Sequence, residues 1–349
     1  ARGRAQRRLG SRRPRLVSAV RSGADLIGRR ITVDVPATTA NLGAGFDALA
    51  MALELATLIE VEAVPPARQP SIHVEVRGEG EGQLPTGRRN RFVSALIEGL
   101  EDTGLDASGC GWHVRMDNRI PVTRGLGSSA SATVAALVAA DALLDGALGR
   151  ERMLELATRS EGHADNAAAA IYGGLTVVAT VKGAPRAIRI DPPPELLAAL
   201  YIPDKHRSTA AMRAALPERV PFADAVHNVG AATLAVAALS EGRLDLLAAG
   251  TDDRLHEPYR AAAYPELPEL IEAALAAGAK GACMSGAGPT VIAFSDDVAA
   301  AATIAAAMER RAQELGLAGR AAVQGVRAAG ARVIDGVDAR LEGVSLPHA

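Results

Sequence analysis

Lysine is nearly absent from this sequence: Lys182, Lys205 and Lys280 stand against 35 arginines. None of the three follows a glycine, so the Gly-Lys-Ser/Thr ending of a Walker A phosphate loop cannot be assembled. No Gly-x-Gly-x-x-Gly string occurs, which leaves a Rossmann dinucleotide site without support. Nine aromatic residues in 349 are too few for a base-stacking platform. The only cysteines, Cys110 and Cys283, lie far apart with no Cys-x-x-Cys and no Cys/His cluster. A disulfide framework or structural zinc site therefore has no support, and a reducing compartment is the natural setting. No run reaches the roughly 18 uninterrupted apolar residues of a membrane helix, and Asp141 breaks the longest candidate, Ala130 to Leu144.

Charge is present but unevenly placed. Residues 1–30 hold ten arginines and one acid, a charge of +9 that leaves 28 basic and 39 acidic residues, −11, on the body. A body this acidic is a poor general binder of nucleic acid. The arm has no apolar core for a secretory signal. We read 1–29 as a basic, disordered arm and expect a chain starting near Arg30 to keep full activity.

Apolar residues make up 48% of the chain, enough for substantial cores. Alternation predicts strands at Ile31–Val35, Ile59–Val64, Ile72–Val76 and Trp112–Met116, with a small-residue loop at 37–47. Helices are predicted at 91–100, from the turn Gly125–Gly127 to about Leu144, at 151–160 and at 166–171, followed by a strand at Leu175–Val181. Pro192–Pro194 marks a boundary. Beyond it come a strand near Leu200, helices at 210–216, 223–239, 267–277 and 298–315, a strand-loop-strand at 285–294, and strands near Val323 and Val333. This order gives an α+β fold in two domains, 30–190 and 191–349.

The segment with most chemistry is Pro121-Val122-Thr123-Arg124-Gly125-Leu126-Gly127-Ser128-Ser129-Ala130. Two glycines permit tight backbone geometry in which successive N–H groups face an anion, at the positive end of the following helix. The same string also reads as a plain glycine turn with a serine N-cap.

Residues 120–130 closely resemble the phosphate loop of the GHMP kinase superfamily, and the Pro-x-x-Arg-Gly-Leu-Gly-Ser-Ser form resembles the homoserine kinases within it. Pro36–Asp47 resembles the superfamily's N-terminal motif and Gly281–Thr290 its C-terminal one. The likeness runs from about residue 30 to 335. Glu161-Gly162-His163-Ala164-Asp165-Asn166, Ser208-Thr209 with Arg213, and His256-Glu257-Pro258-Tyr259-Arg260 resemble homoserine kinase segments in particular.

The resemblance implies an N-terminal ribosomal-protein-S5-like domain and a C-terminal ferredoxin-like α/β sandwich. It implies a cytoplasmic phosphotransferase of threonine biosynthesis that moves the γ-phosphoryl group of ATP to L-homoserine with Mg²⁺. Homodimers are common in the family, and neither membrane nor nucleic acid is implied as a partner. Asn41 and Asp47 would then meet the ammonium, Arg213 and Arg260 the carboxylate, Asn166 the hydroxyl, with His163, Asp165 and Thr209 in the same pocket. Pro121, Arg124, Gly125, Leu126, Gly127, Ser128, Ser129 and Ala130 would hold phosphate, Gly286 and Gly288 would brace that loop, and Asn90 would contact adenine. Ser129 and Glu155, eight residues before His163, would take Mg²⁺. Asp165 stands in the site with its role as a base open. Ala44 and Ala50 replace the proline and glycine usual in the family, which should loosen the loop carrying Asn41 and Asp47. A kinase for another small alcohol, or a silent binding protein of the same fold, is the alternative.

Overall fold

The computed structural model describes residue 20 and residues 22–66, 71–206 and 208–334. The first half runs β1 (Arg30–Ala40), β2 (Leu49–Val64), β3 (Ile72–Gly78), α1 (Arg91–Asp102), β4 (Gly111–Asn118), α2 (Ser128–Leu143), α3 (Gly149–Glu161), α4 (Asp165–Tyr172), β5 (Leu175–Val181) and β6 (Ala184–Ile190). The second runs β7 (Leu197–Pro203), α5 (Thr209–Ala214), α6 (Phe222–Ser240), α7 (Leu247–Gly250), α8 (Glu257–Ala261), α9 (Glu266–Ala276), β8 (Gly281–Met284), β9 (Val291–Ser295), α10 (Val298–Glu314), β10 (Gly319–Gly325) and β11 (Arg332–Ile334). The fold is α+β.

The first four residues of the predicted 37–47 loop are strand. β1 continues to Ala40 because a register shift between Pro36 and Ala37 carries its ladder with β2 past a residue that has no N–H. β2 has 16 residues where six, 59–64, are predicted, since its first half is alanine-rich and shows little alternation. Its early residues pair with β5 and its later ones with β4, so the first sheet forks along it. β6, absent from the sequence reading, closes that fork as a hairpin partner of β5.

Two sheets stack, the second in the order β10-β7-β9-β8. Leu196, Ala198, Leu200 and Ile202 face the first sheet, while Ala199 and Tyr201 face α9 and α10 on the other side. That period of two, with both faces buried, explains why β7 reads as an unbroken apolar run. On the far side of the first sheet, α2 is apolar all round because it packs against β1, α1, α3 and α4 together. The sheets therefore meet along β2, β5, β7 and β9, and the loops at one edge of this contact build the site.

Both ends of the chain depart from the domain limits above. The described part of the arm is packed: Leu26 has no exposed surface, the Gly28 N–H donates to Ala63 O at 2.8 Å, and Arg29 reaches Leu143 O at 2.9 Å. Residues 1–19 and 21 lie outside the described residues. β11 returns to pair with β1 in the first sheet, so 191–349 is not a single body. Asp34 holds this return with buried bonds to both terminal nitrogens of Arg327, at 3.0 and 2.7 Å. A chain beginning at Arg30 is thus expected to melt about 5 °C lower than one beginning at Val20, from the roughly 2 kcal/mol of Leu26 burial alone. Equal melting temperatures by differential scanning fluorimetry would return residues 20–29 to the disordered arm.

Among the described residues α6 is the helix with the length and apolarity of a membrane span. Asn228, Ala231, Ala235, Ala238 and Leu239 turn into the protein, and Phe222, Val226 and Val229 are exposed.

Candidate active site

A cavity of about 300 Å³ opens where the turn before α2, the start of α4, α5, α8 and the loops 41–47 and 285–290 converge. One end is apolar, walled by Ile59, Leu84, Pro85, Met116 and Val122. The opposite end holds Asn41, Asp47, His163, Asp165, Asn166, Thr209, Arg213 and Arg260, and Gly125, Gly127, Ser128, Ser129 and Ala130 lie between the two.

Backbone geometry at the centre follows from two glycines. Gly125 (φ +79°) and Gly127 (φ +70°) are both left-handed, and a Cβ on either would collide: 2.3 Å from Ser285 O at Gly125, 1.9 Å from Thr38 Oγ1 at Gly127. Ser285 fastens the turn by donating from its hydroxyl to Gly125 O at 2.7 Å, and the Thr290 N–H reaches Arg124 O at 3.2 Å. Gly127 is the N-cap of α2, so the first free N–H groups of that helix face the cavity. Leu126 is fully buried between the sheets. Its side chain, Pro121 and Gly288 stay off the cavity wall and support it from behind.

Arg124 differs from the expectation of a phosphate contact. Its guanidinium is spent on Pro203 O at 2.7 Å, on Asp204 O and on His206, which ties the turn to the end of β7. Asn90 sits in the wall, but its amide caps α1 by accepting from the Phe92 N–H at 3.0 Å and donates to Pro85 O at 2.9 Å.

Glu155 is not in the cavity. On α3 the buried residues Met153, Leu154, Leu156 and Ala157 define one face, and Glu155 falls on the opposite one, paired with Arg152 at 2.8 Å and Arg186 at 3.4 Å. Those arginines, Arg152 first, hold its carboxyl below the usual range. Glu161, four residues past Ala157, lies on the buried face. Its Oε1 accepts from the Ser129 and Thr133 hydroxyls, each at 3.0 Å, and Arg91 Nε stands 3.7 Å away. Helical phase was the sequence clue to Glu161, and it outweighs the spacing from His163. An acidic oxygen and a hydroxyl beside the N-terminus of α2 suit a hard cation that keeps waters and phosphate oxygens as its other ligands. Among the described residues no group of three His, Cys, Asp or Glu side chains forms a closed metal site.

At the polar end Arg213 grips Asp47 bidentately, 2.7 and 2.8 Å, and this contact raises the arginine pKa. Arg260 is 1% exposed and has no carboxylate within ion-pair reach among the described residues. Its guanidinium meets Met212 O at 3.3 Å, Gly286 O at 3.1 Å and His256 Nδ1 at 3.3 Å. Burial, and then the nearby Arg213, pull its pKa down. A buried cation of this kind gains most from an incoming carboxylate. Phe46, inside the Pro36–Asp47 motif but not among the expected site residues, is flanked by both guanidinium carbons, 5.5 Å for Arg213 and 5.3 Å for Arg260.

Asn41 (φ +73°) donates to Gly286 O at 2.7 Å and accepts from the Asp47 N–H at 3.0 Å, so its amide joins loop 41–47 to loop 285–290. Asn228 donates to Ala44 O at 3.2 Å, which anchors the turn where the family has proline. Ala50 packs against Ala40 and Ala169, where a small side chain fits. Asp165 Oδ1 accepts from the Asn166 N–H at 2.7 Å and sits 2.8 Å from His163 Nδ1, a bond that raises the histidine pKa. Asn166 Oδ1 accepts from Thr38 at 2.7 Å, which orients its amide NH₂ away from Thr38.

Residues 90–174 match the GHMP kinases N terminal domain and residues 235–314 the GHMP kinases C terminal domain. Curated homoserine kinases are close relatives. The one from Moorella thermoacetica is 42% identical over 75% of this chain and 86% of its own, that from Desulfitobacterium hafniense 36% over 87% and 100%. Among solved structures, homoserine kinase from Cytophaga hutchinsonii superposes with a TM-score of 0.78 at 28% identity, over 87% of this chain and 97% of that one. The L. major mevalonate kinase, at 18% identity and a TM-score of 0.59, shares the fold alone. By sequence identity sustained over most of both partners, and by a fold that agrees with it, the chain belongs to the homoserine kinase family of the GHMP kinases.

Proposed function

We propose that this protein transfers the γ-phosphoryl group of ATP to the side-chain hydroxyl of L-homoserine, giving O-phospho-L-homoserine and ADP, in the cytoplasm and as a homodimer. The observation that carries the reading is the buried, carboxylate-free Arg260 beside the Asp47–Arg213 pair, at one end of a cavity whose middle is a phosphate-type glycine turn. Two arginines and one aspartate match an amino-acid zwitterion: the carboxylate spans Arg213 and Arg260, and the ammonium takes over Asp47. The apolar end is shaped for the adenine of ATP.

Ser129 and Glu161 would hold Mg²⁺, which when bound supplies neutralisation of phosphate charge. The chain's own contribution is positional. Asn166 holds the substrate hydroxyl through its amide, and N–H groups of the Gly125–Ser129 turn face the transferred group. Asp165 is read here as a positioning group, its Oδ1 engaged by His163 and the Asn166 N–H. It fixes the two side chains beside it.

The test is ADP release measured against a panel of small alcohols. Homoserine should be the substrate with highest kcat/KM, and Arg260→Met or Arg213→Met should lower that value on the order of 100-fold, the scale of a lost charge-assisted contact. Turnover of an alcohol without a carboxylate, unchanged in both variants and absent with homoserine, would replace this reading by a kinase for another small alcohol.

A further inference from the structure

We propose that His256 is a positioning residue for amino-acid recognition, one neutral imidazole that holds Arg260 and the Asp47 loop at a fixed separation. The proposal rests on the reading of this cavity as the homoserine site. His256 has no exposed surface and is not on the cavity wall.

Its two ring nitrogens meet partners of opposite kind. Nε2 lies 2.9 Å from Gly43 O, a carbonyl that can only accept, so Nε2 carries the proton. Nδ1 is then a lone pair, and it lies 3.3 Å from Nη1 of Arg260, a group that can only donate. Both contacts demand the same neutral tautomer. The spacing of four residues places His256 and Arg260 on one side of the first turn of α8. The ring also stacks, tilted, 5.0 Å from Phe46, the aromatic that the two arginines flank.

Both ends of this link are fixed. Asp253 Oδ2 accepts the N–H groups of His256 at 2.9 Å and Glu257 at 2.7 Å, which sets the backbone below the imidazole. At the other end Gly43 (φ +70°) presses so closely on Thr251 that a Cβ would stand 2.1 Å from Thr251 O. The imidazole is thus a strut between two anchored segments. It carries the carboxylate-binding arginine at one nitrogen and, at the other, the loop that presents the ammonium-binding aspartate.

The experiment is steady-state kinetics on the full chain with His256→Ala, His256→Asn and His256→Gln. The Asn amide oxygen can take the place of Nδ1 as acceptor for Arg260, while the Gln amide nitrogen reaches toward Gly43 and leaves Arg260 unmet. The Ala and Gln variants should raise the homoserine KM on the order of 30-fold, and the Asn variant by less than about tenfold, as expected for one hydrogen bond to a charged group. The KM for ATP should stay within about twofold throughout. A second ligand separates positioning from loose packing: 3-aminopropan-1-ol, homoserine without its carboxylate, used as a competitive inhibitor. Its inhibition constant should change less than about threefold in every variant, because a ligand that meets only the Asp47 end does not depend on the separation between Asp47 and Arg260. Equal weakening of homoserine and the amino alcohol, a parallel rise in the ATP KM, or an unchanged homoserine KM overturns the proposal. Absence of homoserine turnover in the unmodified protein instead removes the functional reading beneath it.

Discussion

Glu161→Gln is expected to lower kcat by about 10²–10³-fold, the scale for losing one preorganised charge next to a transferring group. It should also raise the Mg²⁺ concentration needed for half-maximal rate. Glu155→Gln should leave both within about twofold. The contrast follows from their settings on one helix. The Glu161 side chain is 8% exposed, faces the hydroxyls of Ser129 and Thr133 one turn apart on α2, and lies on the cavity wall. Glu155 makes surface ion pairs with Arg152 and Arg186, with 29% of its side chain exposed. Such pairs contribute at most about 1 kcal/mol. Kinetics over a Mg²⁺ titration, with a melting curve for each variant, reads the difference. Loss of activity in Glu155→Gln with a normal Glu161→Gln would return the metal to the position that motif spacing suggests.

Gly125→Ala carries the second large effect. The left-handed backbone alone costs an L-residue about 1–2 kcal/mol. The added methyl would also stand 2.3 Å from Ser285 O, 3.0 Å from Gly288 O and 3.1 Å from Gly288 C. All three are backbone atoms of the facing loop, so no side chain can rotate out of the way. The two loops must separate, and the N–H groups that face phosphate move with them. A displacement near 1 Å at a reacting group costs roughly 100-fold, so kcat/KM for ATP should fall at least that far. Gly183→Ala is the matched control: φ is +80° and nothing lies within 4 Å of its Cβ. It should lose a similar increment of stability to backbone strain and none of its activity. If Gly125→Ala retains ATP kinetics like those of Gly183→Ala, the turn does not need its contact with the 285–290 loop.

Elements with strong local chemistry were legible in the sequence. Gly127 followed by Ser128 and an apolar stretch announces the start of α2, and alternation announces β3 and β4 in nearly their observed positions. Weak local chemistry misled. The alanines of β2 carry too little contrast between faces to show a 16-residue strand, and β6 mixes arginines with small residues on a largely exposed hairpin. Arg124 illustrates a different limit. Its place in the glycine turn suggests phosphate, yet carbonyls at the end of β7, some eighty residues later, take its guanidinium.

Composition, turn chemistry and periodicity by themselves determined an α+β chain with a glycine turn feeding a helix, and its short motifs pointed to the family. These are properties of neighbouring residues, set by φ/ψ preference and by which face of one element is apolar. The tertiary structure alone decided which polar atoms meet. Asn41 bonds Gly286 across 245 residues, His256 bonds Gly43 across 213, and Arg327 closes on Asp34 across 293. A buried donor takes whichever acceptor the stacked sheets bring within 3 Å, and no local pattern encodes that choice. Glu161 lies between these cases: the helical phase of α3 turns it, and not Glu155, to the buried side, and only the packing of that face brings it to Ser129.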